Sequence, residues 1–175
     1  MEQPAGNKIT GNPSSHPALS VKWVEDFPDI PLNRNEAYKL RVTSKGVEIE
    51  AITETGVYRA IQTLRQLTEK KGNGIAITGC EITDWPAFRI RGFMQDVGRT
   101  YISTDELKRE IAILARYKIN VFHWHLTENQ AWRLQSKVFP MLNDSVNTTR
   151  QPGKYYTLEE ARELAAFCKQ HHVLL

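Results

Sequence analysis

Polar and apolar positions alternate with period two at Tyr38-Lys39-Leu40-Arg41-Val42 and again at Val47-Glu48-Ile49-Glu50-Ala51. Ser44-Lys45-Gly46 lies between the runs, a short polar connection with a glycine for positive φ, so the pair predicts a β-hairpin. The period then lengthens. Val57, Ala60, Ile61, Leu64 and Leu67 recur at helical spacing, and Gly72-Asn73-Gly74 is the expected stop of that helix. Ser20–Glu25 reads as a strand before the hairpin, and Ile75, Ile77 and Ile82 suggest one after the helix. Strands with a helix across one face predict a small α+β domain over residues 18–83. Residues 1–17, rich in Gly, Pro, Asn and Ser, are expected to be a disordered lead.

Asp84-Trp85-Pro86 marks a boundary, because a residue before proline is pushed toward extended geometry. Beyond it the grammar becomes strand–helix–strand. Ile90–Val97 and Ile119–Leu126 read as strands. Between them Ser103-Thr104-Asp105-Glu106 has the form of a capping box, followed by an apolar stripe of Leu107, Ile111, Leu114 and Ala115. A long loop from Thr127 to Tyr156, with local structure expected around Trp132–Phe139, leads to a second capping box at Thr157-Leu158-Glu159-Glu160. The stripe of that helix is Leu158, Ala161, Leu164, Ala165 and Cys168, and His172–Leu175 would open a third strand. Residues 84–175 thus read as the start of a (β/α)8 TIM barrel, giving an α/β chain overall. A closed barrel takes about 250 residues, and parallel strands need neighbours on both sides. The expectation is therefore a truncated barrel whose chain continues beyond Leu175.

Composition narrows the picture. At 41% hydrophobic and 25% charged, the chain can bury a core. Its formal net charge of +3 comes from scattered Lys and Arg, so no nucleic-acid footprint is expected. No apolar run approaches the roughly 18 residues of a membrane span, and no signal peptide is visible at the N-terminus. Cys80 and Cys168 are too few for a disulfide framework and read as small buried side chains. No cluster has zinc spacing, so neither metal nor cofactor is expected.

In a βα barrel, functional residues sit at the carboxyl ends of strands. Two clusters fall there: Asp96-Val97-Gly98-Arg99, and His123 to Gln130 followed by Trp132 and Arg133. Arg99 offers a planar fork of donors suited to adjacent hydroxyls. Glu128 offers acceptors, and Trp132 an apolar face of the kind that stacks on a pyranose. The mixture suits a neutral sugar better than a phosphate, for which no Gly-rich cradle is present. Each residue also has a plainer role open to it. Arg99 could simply pair with Asp96, His123 and His125 could be structural groups on one face of their strand, Glu128 could be a solvated loop carboxylate, and Trp85 and Trp132 could be packing residues.

These same residues resemble glycoside hydrolase family 20, the β-N-acetylhexosaminidases. The resemblance rests on Asp84-Trp85-Pro86-Ala87-Phe88-Arg89, on Arg91-Gly92-Phe93-Met94-Gln95-Asp96-Val97-Gly98-Arg99, on the run from Lys118 through His123-Trp124-His125 to Thr127, and on Gln130-Ala131-Trp132-Arg133. It implies a retaining exo-hydrolase for terminal N-acetylhexosamine on glycans or chitooligosaccharides, in which the substrate's own acetamido carbonyl is the nucleophile. Arg99 then matches the arginine that holds the terminal sugar's hydroxyls. Glu128 stands where most members have an Asp, one methylene shorter, and Asn129 replaces a common second Asp. Asp96, His125 and Trp132 match supporting positions. The family's catalytic Asp-Glu pair follows the fourth strand and is expected beyond residue 175. Asp105-Glu106 and Glu159-Glu160 are helix-start residues in the wrong places. The segment alone is thus expected to be inactive, and the parent protein periplasmic or secreted. The competing reading is a non-catalytic sugar-binding or interaction module.

Overall fold

The computed structural model of the chain describes residues 8–10 and 18–175. Two compact units follow one another, divided between Arg89 and Ile90. Among the described residues no helix is long and apolar enough to cross a membrane.

The first unit runs β1 (Lys8–Thr10), β2 (Ala18–Trp23), β3 (Tyr38–Thr43), β4 (Gly46–Ala51), α1 (Glu54–Leu67), β5 (Thr68–Lys71), β6 (Gly74–Thr78) and β7 (Cys80–Asp84). Four strands form one sheet in the order β2-β4-β3-β7. The hairpin forms as its alternation predicts. Leu40 pairs with Ile49 and Val42 with Val47. Tyr38, Leu40, Val42, Val47, Ile49 and Ala51 are buried, with Ala60, Ile61 and Leu64 of α1 packed against them. Gly46 has φ 150, and a Cβ there would lie 2.5 Å from the Ala18 carbonyl oxygen, so glycine lets β2 come alongside β4. The opposite face carries ion pairs, Lys22–Glu50 at 2.6 Å and Arg41–Glu81 at 2.8 Å. Arg59 is buried against Glu36: its Nε lies 2.8 Å from Glu36 Oε2, with the two side chains 2% and 16% exposed.

Three expectations are corrected here. The helix stops at Leu67 rather than at Gly72, which is instead the turn between β5 and β6, with φ 58. Glu69-Lys70-Lys71 offers no apolar position for a helical stripe, so strand pairing of Thr68 with Ile77 prevails. The single strand expected over 75–82 is two, one in each sheet. Lys8–Thr10, within the lead expected to be disordered, is β1, antiparallel to β6 with Ile9 opposite Ile77. The rest of that lead, 1–7 and 11–17, lies outside the described residues.

The second unit runs β8 (Gly92–Asp96), α2 (Thr104–Arg116), β9 (Val121–His125), β10 (Thr127–Glu128), β11 (Ala131–Trp132) and α3 (Leu158–Gln170). β8 and β9 are parallel, with Asp96 opposite His125, and α2 makes the crossover between them. Leu107, Ile111 and Ala115 of α2 are buried, as are Leu164 and Cys168 of α3, whereas Ala165 faces out. Burial pushes the Cys168 thiol up to about 11. The expected third strand is a single parallel bridge of Leu174 to Val121. The long loop folds into the β10–β11 ribbon and 3-10 turns at Pro140–Asn143 and Ser145–Asn147.

Both capping boxes form. Ser103 Oγ accepts from the Glu106 N–H at 3.3 Å, and Glu106 Oε2 accepts from the Ser103 N–H at 3.0 Å. The Thr157 and Glu160 pair repeats this at 3.1 and 2.7 Å. Hydrogen bonds from the Ser103 side chain, then its backbone, hold the Glu106 carboxyl below the usual glutamate range. The folded value is the lower one, so this contribution is present above the unfolded glutamate pKa. It is lost as pH falls through the folded value. An NMR titration should place the Glu106 midpoint below that of an ordinary glutamate, and Ser103→Ala should raise it. Equal midpoints in the two proteins would contradict the box as the cause.

Candidate functional site

At the carboxyl end of β8 the chain turns directly toward the end of β9. The N–H groups of Val97 and Gly98 both donate to the His125 carbonyl, at 3.0 and 3.2 Å. Gly98 makes room for Glu128: a Cβ there would sit 3.0 Å from the Cβ, Cγ and backbone nitrogen of Glu128, tight enough that the Glu128 segment would have to give. The two strand ends therefore bring four of the residues singled out in the sequence together. Arg99 donates its backbone N–H to Asp96 Oδ1 at 3.1 Å, and its Nε lies 3.2 Å from Asp96 Oδ2. Its Nη2 reaches Glu128 Oε1 at 3.4 Å, and His125 Nε2 lies 3.4 Å from that same oxygen.

One guanidinium thus bridges two carboxylates, with an imidazole on the second. Asp96, Glu128 and His125 are 22%, 26% and 34% exposed at the side chain, while Arg99 is 63% exposed. The carboxylates hold the fork, and Arg99's remaining N–H donors have no partner among the described residues. Such a group can donate to two neighbouring hydroxyls at once, while the carboxylate oxygens accept from others. Asp96, His125 and Glu128 could each offer one ligand atom to a cation, all within 4.8 Å of one another. Arg99 already supplies a positive charge against both carboxylates.

Trp132 does not join this cluster. In the β10–β11 ribbon Thr127 is opposite Trp132 and Glu128 is opposite Ala131. Opposed residues share a face and successive ones alternate, so the indole leaves the ribbon on the side away from Glu128. His123 and His125 do share a face, their rings 5.8 Å apart edge to face. Trp124, on the other, meets Tyr156 at 4.6 Å, and Tyr156 stacks on Tyr101 at 4.8 Å.

Sequence reasoning placed Arg133 at the end of the second cluster but assigned it no role; it is wholly buried. Its Nε donates to the Val97 carbonyl at 3.0 Å, and Nη2 to those of Gly98 at 3.4 Å and Arg150 at 2.8 Å. Nη1 donates to Gln151 at 3.2 Å and Lys154 at 2.7 Å. In the structure Ala131, Trp132 and Arg133 alternate buried, exposed, buried, a pattern the residue types alone do not show.

Residues 88–175 match a model described as glycosyl hydrolase family 20, catalytic domain, and residues 4–85 one described as glycosyl hydrolase family 20, domain 2. A β-hexosaminidase of Porphyromonas gingivalis is 38% identical over 185 residues, which take in 98% of this chain and 22% of that protein. A β-N-acetylhexosaminidase of Cellulomonas fimi is 36% identical over 151 residues, 84% of this chain and 30% of its own. Among solved structures, an exo-β-N-acetylglucosaminidase of Vibrio harveyi in complex with N-acetylglucosamine superposes with a TM-score of 0.76 at 33% identity. It covers 89% of this chain and 26% of the other. The chain thus spans less than a third of each of these proteins.

Proposed function

Because the chain belongs to glycosyl hydrolase family 20, we propose that it is the accessory domain and opening βα units of a retaining exo-β-N-acetylhexosaminidase, the second unit beginning a (β/α)8 barrel. The observation that carries this reading is the Asp96–Arg99–Glu128–His125 cluster at the carboxyl ends of two parallel strands, where a barrel places its site. The related Vibrio harveyi enzyme binds N-acetylglucosamine, and a neutral polyol of that kind suits a fork of donors flanked by acceptors.

In this reading Arg99 donates to adjacent hydroxyls of the terminal sugar. Asp96 and Glu128 hold its guanidinium in place, and His125 steadies Glu128. The chemistry needs no enzyme nucleophile. The acetamido carbonyl oxygen of the substrate attacks the anomeric carbon as the glycosidic bond breaks, and a carboxylic acid protonates the departing oxygen. Water, deprotonated by the same carboxylate, then opens the oxazolinium ion with net retention. That acid, with the neighbouring Asp that orients the acetamido group, belongs to a part of the enzyme outside residues 1–175.

The test uses a chromogenic N-acetyl-β-glucosaminide. The 175-residue chain should release no chromophore, whereas the complete enzyme should turn over. Turnover by the 175-residue chain at enzyme-like rates would remove the need for an acid elsewhere. A complete protein inert toward all N-acetylhexosaminides would overturn the assignment.

A further inference from the structure

Arg133 is an expensive way to join two loops. Its guanidinium is removed from water, no carboxylate among the described residues pairs with it, and its partners are five backbone carbonyls. Burying a cation without a counter-charge is unfavourable unless its donors are all used. What the side chain supplies in return is a rigid plane of five N–H groups, which no other residue has. Those donors reach two segments, 97–98 and 150–154.

The first of these lies between Asp96 and Arg99. The N–H groups of Val97 and Gly98 are taken by the His125 carbonyl, and their carbonyls are taken by Arg133. The Val97–Gly98 peptide group is therefore held at both its carbonyl and its N–H, and the Gly98–Arg99 peptide is held by Arg133 at its carbonyl and by Asp96 Oδ1 at its N–H. Gly98 is also in direct contact range of Glu128, at the 3.0 Å that a Cβ would have from it. Moving the Gly98 peptide would carry Arg99 with it and change the gap that Glu128 fills. We infer that Arg133 is a positioning residue: it clamps the Val97–Gly98 backbone so that Arg99 is presented to Asp96 and Glu128. That this serves sugar binding rests on the function proposed above; the clamping does not.

The test follows the Arg99 Nε–H resonance in 15N-labelled 175-residue chain, with the amide signals of Ile111 and Leu164 reporting folding. Lysine has three donors on one nitrogen and cannot span the five carbonyls. Arg133→Lys should therefore shift or broaden the Arg99 signal while the Ile111 and Leu164 amides stay in place. An unmoved Arg99 signal in a folded Arg133→Lys chain overturns the inference. If that variant does not fold, the unaltered chain decides. In a urea series below global unfolding, the Arg133 and Arg99 Nε–H signals should be lost together; an Arg99 signal that outlasts Arg133 overturns the inference. In the complete enzyme, Arg133→Lys should lower kcat/KM by roughly 100-fold, the size expected of a misplacement near 1 Å. KM should carry most of it, because Arg99 binds ground and transition states alike. Should the complete enzyme cleave no N-acetylhexosaminide, the proposed function falls, and the Arg99 resonance still decides the clamp.

Discussion

Replacing Arg99 with alanine should reduce kcat/KM of the complete enzyme by about 10²- to 10⁴-fold. Hydrogen bonds from a charged donor contribute roughly 1.5–3 kcal/mol each. Two hydroxyls held by one fork therefore amount to about 3–6 kcal/mol, and each ~1.4 kcal/mol is tenfold in rate. If Arg99 holds sugar hydroxyls as proposed, the loss should fall mainly on KM, since such hydroxyls lie away from the bond being broken and would be held before and during reaction. Removal also leaves the Asp96 and Glu128 carboxylates without the guanidinium that lies within 3.4 Å of both. Arg99→Lys should recover only part of the loss, because an ammonium is a point charge and cannot serve two hydroxyls in one plane. Steady-state kinetics of the two variants check this. An alanine variant with kcat/KM within a few fold of the parent would leave Arg99 as a salt-bridge residue and nothing more.

The largest effect on stability is expected at Arg59. Its side chain is 2% exposed and its Nε lies 2.8 Å from Glu36, itself 16% exposed. Taking away one partner of a largely buried, hydrogen-bonded ion pair destabilises by up to about 3–5 kcal/mol. Arg59→Ala should therefore lower the exchange protection of the Leu40 and Ile49 amides, in the centre of the β3–β4 pairing, by that amount. Arg59→Met combined with Glu36→Leu should restore much of it, since replacing both charges by apolar groups of similar size avoids burying a charge. Native-state hydrogen exchange measures both. A fall of less than about 1 kcal/mol for Arg59→Ala would place the pair with exposed ion pairs in its energetics.

What could be read in the sequence follows from how local each signal is. The β3–β4 hairpin and both capping boxes depend on residues a few positions apart, and each forms as its pattern predicts. β5 was hidden because Glu69-Lys70-Lys71 has neither period, and its strand exists through pairing with β6. β1 is three residues long and β10 and β11 are two each, too short to show a repeat. The grouping of Asp96, Arg99, His125 and Glu128 was legible once two strands were taken as parallel neighbours, because strand ends then adjoin. The displacement of Trp132 was not, since it depends on the register of the β10–β11 ribbon. Gly98 gave no warning either: its contact with Glu128 joins segments from two strands. Arg133 was obscured by its charge, since a lone arginine is ordinarily taken as exposed.

The choice of partners for Arg133 has a bearing on the conditions under which the loops keep their shape. A buried arginine tied to an aspartate would come loose in acid, when the carboxylate takes up a proton. Main-chain carbonyls have no such proton to gain. The ionisable neighbours that influence the Arg133 guanidinium are Tyr156 and Tyr101. Burial pushes both phenols above their ordinary range, so they stay neutral through acid and neutral pH. Burial also lowers the Arg133 guanidinium from its usual value, but an arginine starts from so high a value that it stays charged there. The frame beneath Arg99 therefore keeps one protonation state through acid and neutral pH, and acid does not undo the Arg133 ties.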